Sequence, residues 1–156
     1  MIDAVLVYPI RDGKVLMIQG AQPYAPHYRK WNGPGGKLKD GQTFLECALA
    51  ELFEETGLTA LETEDVGLLT VFVDGCLTRR VRMYRVTQFS GIPTSNGREG
   101  ALQWFSIYDI PAIPTLPADQ HFLPWVLHGY FVHVDVYIND GLYSGHAIRP
   151  WDPKKL

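Results

Sequence analysis

Apolar residues fall in short runs broken by turn formers. The runs at 2–8 and 14–18 flank Asp12-Gly13, the arrangement of a β-hairpin. Residues 21–36 hold three prolines, three glycines, two tyrosines and a tryptophan, so no regular element survives there for long. This is a long loop, a place where function concentrates. From Thr43 the spacing becomes helical. Thr43 stands as N-cap with Glu46 completing a capping box, Gly57 supplies the stop, and Leu45, Ala48, Leu49, Leu52 and Phe53 share one face. Strands are predicted at 66–73, 80–89 and 101–105, separated by Asp74-Gly75 and the polar loop 90–100. Arg80, Arg82 and Arg85 follow the period of two only in part, which leaves the facing of the second strand open. A second helix is predicted at 119–128 with Pro124 near its first turn, then a hairpin of 130–138 and 142–148 across Asn139-Asp140-Gly141. About seven short strands with two helices predict an α+β sandwich.

Composition narrows the class. A chain of 156 residues matches one domain, 1–156, large enough to bury a core. No stretch approaches the roughly 18 apolar residues of a membrane span, and Met1-Ile2-Asp3-Ala4 lacks a basic leader start. Cys47 and Cys76 form neither a disulfide framework nor a metal spacing, which fits a reducing cytoplasm. A net charge of −3 argues against a duplex nucleic acid partner, while leaving small anionic substrates open if a metal supplies positive charge.

The sharpest chemistry lies in Glu51-Leu52-Phe53-Glu54-Glu55-Thr56-Gly57-Leu58. At 3.6 residues per turn Glu51, Glu54 and Glu55 fall within about 100° of helix arc, opposite the apolar face named above. Like charges so placed repel by about 1 kcal/mol per pair when solvated and about 4 at an effective dielectric of 20. The helix C-terminus is also the wrong end of the dipole for them. A hard divalent cation with oxygen ligands would compensate. Just upstream, Trp31-Asn32-Gly33-Pro34-Gly35-Gly36-Lys37 is a glycine turn where backbone approaches phosphate or metal closely. The plainer alternatives are a solvated acidic face, and a lysine left in solvent.

Residues 36–58 resemble the Nudix box, G-x5-E-x7-R-E-U-x-E-E-x-G-U with U aliphatic. Gly36, Glu51, Leu52, Glu54, Glu55, Gly57 and Leu58 match in register, while Gln42 replaces the first glutamate and Ala50 the arginine. The resemblance implies a Nudix α/β/α sandwich with a mixed central β-sheet and a short additional sheet. It implies Mg²⁺- or Mn²⁺-dependent cleavage of a nucleoside diphosphate linked to another group. Carried over, Glu51, Glu54 and Glu55 are metal ligands, one of the last pair helps deprotonate water, and the Gly35 carbonyl completes the shell. Glu99 is the later-loop glutamate, ligand and catalytic residue together. Ala50 leaves one carboxylate less fixed unless Arg80 or Arg82 reaches in. With Gln42 it implies weakened metal binding with activity kept.

The flanks resemble the branch that hydrolyses oxidised purine nucleoside triphosphates, of the MutT type. By match Asn32 and Asp119 read the base, Gly36 and Lys37 adjoin phosphate, and the products are a monophosphate and pyrophosphate. Leu116 and Ala118 depart from the tryptophan and paired acid of some relatives, which implies poorer base stacking. On the residues alone Asp119 also reads as an N-cap and Asn32 as a turn former. Alternatives are hydrolysis of a dinucleoside polyphosphate, nucleotide sugar or capped RNA, and a nucleotide-binding module with weakened catalysis. The expected state is a monomer or small homo-oligomer without membrane partners.

Overall fold

The computed structural model describes residues 1–95 and 100–150. Strand β1 (Ile2–Arg11) turns into β2 (Lys14–Gln19) through Asp12 and Gly13, both left-handed at φ 52° and 72°, as a two-residue hairpin demands. Two short strands follow, β3 (Trp31–Asn32) and β4 (Gly35–Lys37), and then helix α1 (Phe44–Thr56). Next come β5 (Thr59–Val73), β6 (Cys76–Ser90), β7 (Leu102–Ser106) and a 3₁₀ helix (Ile107–Ala112). Helix α2 (Asp119–Leu127) and the hairpin β8 (Val132–Asn139) and β9 (Leu142–Pro150) complete the described chain. The strand order is β3-β2-β1-β6-β5-β8-β9, with β4 on β1 and β7 on β2. Pairs β1–β6 and β5–β8 are parallel and the others antiparallel, so the sheet is mixed, as expected.

Two cores form. On one face α1 lays Cys47, Ala48 and Leu52 against Val5, Val7, Tyr84 and Val86. On the other, Phe122, Leu123 and Val126 of α2 cover Tyr8, Met83, Val132 and Val134. The period of two along β1 separates them, with even positions toward α2 and odd ones toward α1.

Three expectations change. Among the described residues nine strands replace about seven, because Trp31–Asn32 and Gly35–Lys37 pair inside the loop. Strands β5 and β6 run 15 residues each, and the polar start of β5 is held by Arg85–Glu64 and Arg82–Asp65 pairs across bulges that alternation of apolar residues does not reveal. Pro124 sits past the first turn of α2, where a nine-residue helix loses one amide from its ladder. The capping box of α1 is as expected: Thr43 Oγ1 accepts from the Glu46 amide and Glu46 Oε1 from the Thr43 amide, both at 3.1 Å, while Gly57 closes the helix at φ 76°.

Candidate active site

Helix α1 is rotated from the face that its large apolar residues mark. Leu45, Leu49 and Phe53 are exposed, Phe53 by 60%, whereas Glu55 is only 7% exposed. The buried stripe is Cys47, Ala48, Leu52, Glu55 and Thr56, whose small members let the helix lie close to the sheet. The carboxylates therefore do not project together from the face opposite the core. Glu55 Oε2 lies 3.4 Å from the Gly35 amide, and Glu51 abuts Gly36 so closely that a Cβ there would come within 2.6 Å of its carboxylate. Glu54 stays exposed, 3.8 Å from Lys39 Nζ. Among the described residues no three acidic, histidine or cysteine side chains form a closed metal cluster. Glu99 lies outside the described residues.

The glycine turn is as tight as its composition implies. A Cβ on Gly35 would stand 2.1 Å from the Val5 carbonyl oxygen, and one on Gly33 2.7 Å from the Tyr8 ring. Only glycine lets β4 lie this close to β1. Cys47 donates to the Gly36 carbonyl at 3.7 Å, and burial followed by the Glu51 and Glu54 charges pushes its thiol up to about 11, so it is an inert donor. The two departures from the box have structural readings. Gln42 closes its own turn by accepting from the Lys39 amide at 2.9 Å. Arg80 and Arg82 do not replace the missing arginine, being engaged with Asp3 at 2.9 Å and Asp65 at 3.2 Å.

A cleft of about 620 Å³ opens on the α2 side of the sheet. Its lining brings Asn32, Gly35, Gly36, Lys37, Glu55 and Asp119 together. Asp119 begins α2 and makes no capping bond, since the cap position is Ala118. It is 6% exposed, its Oδ2 has no hydrogen-bond partner among the described residues, and the same is true of the buried Tyr8 hydroxyl. Burial pushes the Asp119 carboxyl up to about 7, only partly opposed by the Leu116 backbone and the Lys30 charge. Burial and the Asp119 charge likewise hold the Tyr8 phenol well above its usual range. Asn32 accepts from the Gly33 amide at 2.9 Å, which fixes its oxygen at the start of the turn. An unsatisfied Asp119 oxygen in the cleft lining is a costly arrangement that a ligand with its own donors and acceptors relieves. Arg79, which also lines the cleft, was not legible as a site residue, since along β6 it reads as one more arginine.

Asp119 gives a stability test. An unfolded carboxyl titrates near 4 and the folded one near 7, so the native chain holds more protons between these values and its stability falls as pH rises from about 4 to 7, then levels. Asp119→Asn is expected to remove that slope. Melting curves at pH 5 and pH 7.5 check it, and equal slopes in both proteins would show that Asp119 ionises freely.

A family model described as the NUDIX domain matches residues 2–126. The oxidized purine nucleoside triphosphate hydrolase of Danio rerio is 32% identical over 132 residues, 81% of this chain and 83% of that protein. An uncharacterized Nudix hydrolase of Bacillus subtilis, YvcI, is 30% identical over 122 residues, 76% of this chain and 74% of that protein. Among solved structures, a mutator MutT protein from Bacillus halodurans superposes with a TM-score of 0.84 over 97% of this chain and 100% of that one at 21% identity, which bears on the fold.

Proposed function

This chain belongs to the Nudix family of pyrophosphohydrolases, and from that premise we propose that it hydrolyses a purine nucleoside triphosphate of the oxidised, 8-oxo-dGTP-like kind to monophosphate and pyrophosphate. The observation that carries the reading is the continuity of one cleft. It joins Asn32 and Asp119, whose Oδ2 has no partner among the described residues, to the glycine turn and Glu55. The former suits a base edge and the latter a phosphate. The relative in Danio rerio, named for oxidized purine nucleoside triphosphates, supports that choice of substrate.

The donor chemistry, carboxylate and backbone carbonyl oxygen, is the kind a hard divalent cation takes. Carboxylate oxygens from Glu51 and Glu55 approach the tight backbone at Gly35 and Gly36, with Glu54 one turn from Glu51 on the solvent side. Mg²⁺, or Mn²⁺, held by Glu51, Glu54, Glu55, the Gly35 carbonyl and Glu99 would neutralise phosphate charge and lower the pKa of water. The chain's own part is to position and to move one proton. Glu54 or Glu55 accepts it as the water oxygen bonds to phosphorus and the bridging P–O bond breaks, the electron pair leaving with the pyrophosphate oxygen. Lys37 faces the cleft beside the turn and offers a cation to the phosphates. Asp119, neutral below about pH 7 and ionised above it, can donate or accept at a base edge, and Asn32 does both with its amide.

A nucleotide panel tests the reading. With Mg²⁺, 8-oxo-dGTP is expected to release pyrophosphate at least tenfold faster than dGTP, and EDTA to abolish release from both. Equal slow rates on all bases would remove the oxidised-base preference. Binding without turnover in Mg²⁺ and Mn²⁺ would identify a non-catalytic nucleotide module.

A further inference from the structure

The arginines of the large sheet are mostly committed. Arg80 pairs with Asp3, Arg82 with Asp65, Arg85 with Glu64 and Arg149 with Asp135, and Arg11 lies over the Phe89 ring. Arg79 differs. It lines the cleft, and its side chain has no ion pair, hydrogen bond or ring contact among the described residues. A guanidinium left unengaged at the mouth of a substrate cleft is a ready anion receptor.

The register of the sheet says where along the substrate it would act. The even positions of β1 face the cleft side, and each marks a level. Tyr8, at the deep level, packs against Gly33 and shares its surroundings with Asp119. Leu6 stands opposite Gly35 and Ala4 opposite Lys37, while on the other side of β1 Ile2 stands beside Arg79. At about 3.3 Å per residue, Tyr8 to Ile2 spans roughly 20 Å, and the last step, from the level of Lys37 to that of Arg79, is about 7 Å. Strands β4 and β6 flank β1 at nearly 5 Å on either side, so the long side chains of Lys37 and Arg79 reach over it from opposite edges. A nucleotide with its base at Asn32 and Asp119 and its phosphates beside the glycine turn meets Lys37 first and Arg79 last.

We propose that Arg79 binds the terminal phosphate and so makes the cleft selective for nucleoside triphosphates over diphosphates. The proposal rests on the nucleotide reading above, and it adds a specificity-determining residue that the box and its flanks do not supply. Arg79 is solvent-exposed and carries no core contact, so its replacement leaves the fold intact.

The test compares wild type, Arg79→Met and Arg79→Lys on dGTP and dGDP with Mg²⁺, and by calorimetry on magnesium tripolyphosphate and magnesium pyrophosphate. Arg79→Met is expected to lower kcat/KM for the triphosphate about tenfold or more while changing the diphosphate less than about twofold, the size of one charge-assisted bond. Arg79→Lys, keeping the charge, is expected to retain at least about a third of the triphosphate activity. Tripolyphosphate should bind wild type more tightly than Arg79→Met, with pyrophosphate unaffected. Equal losses on both nucleotides would overturn the proposal. So would a lysine variant as impaired as the methionine one, which would assign the flat guanidinium to the base face. A wild type that hydrolyses neither nucleotide would sink the nucleotide reading, and the calorimetry would still decide Arg79: equal tripolyphosphate binding by wild type and Arg79→Met overturns its role.

Discussion

Glu55→Gln and Glu54→Gln, made separately, are expected to reduce turnover with the best nucleotide by about a hundredfold or more in at least one case, the range lost when a catalytic proton acceptor is removed. The two positions differ in surroundings, and this shapes the controls. Glu55 is 7% exposed against the Gly35 amide, and glutamine keeps its shape and an oxygen for that amide, so melting should change little. Glu54 is exposed beside Lys39, and its loss should hardly alter stability. A fall in rate without a fall in melting temperature therefore isolates chemistry from folding. Titrating Mg²⁺ separates the remaining causes: a rate rescued at high metal marks a ligand, and one that stays low marks the proton acceptor. If neither variant loses tenfold, the carboxylate helix is not the catalytic element.

The second large effect divides two adjacent glycines. In Gly35→Ala the new methyl would meet the Val5 carbonyl oxygen at 2.1 Å, and backbone cannot step aside without unpairing β4 from β1. Loss of about 1–3 kcal/mol of stability is expected, as for other overpacked sites. Turnover should fall with it, because the strand that places Lys37 and the turn moves too. In Gly36→Ala the methyl would meet the Glu51 carboxylate at 2.6 Å, the far end of a flexible side chain. Glu51 can swing away, so the fold should hold while turnover drops about tenfold or more from a displaced ligand. Melting curves with initial rates check the pair. The same loss of stability at both positions would show that Gly36 is constrained by the sheet and not by the carboxylate.

Much of this site was legible because its signals are local. The capping box, the Gly57 stop and the register of Gly36, Glu51, Glu54 and Glu55 need only spacing along the chain, and helix α1 begins and ends where they place it. What failed was its rotation. Leu45, Leu49 and Phe53 mark the wrong face because burial goes to residues small enough to approach the sheet, and a glutamate gains a place among them through the Gly35 amide. The 15-residue strands escaped for a related reason. The polar start of β5 is stabilised by partners on β6, and Glu64 with Arg85 has no periodicity to announce it. Arg79 joins the cleft through pairings with distant strands, which a single sequence does not display.

The parallel pairing of β1 with β6 also bears on how the chain is made. Asp3 and Arg80, joined across these strands, are 77 positions apart. At 5–20 residues per second, β1 leaves the ribosome about 4–15 s before its partner exists. During that interval one edge of an apolar strand is open to other chains, while β2 and β4 can cover only the other edge. Such long-range closure slows folding relative to local packing. The strand that later carries the levels of the cleft is thus, in the nascent protein, a segment that waits with one edge unpaired.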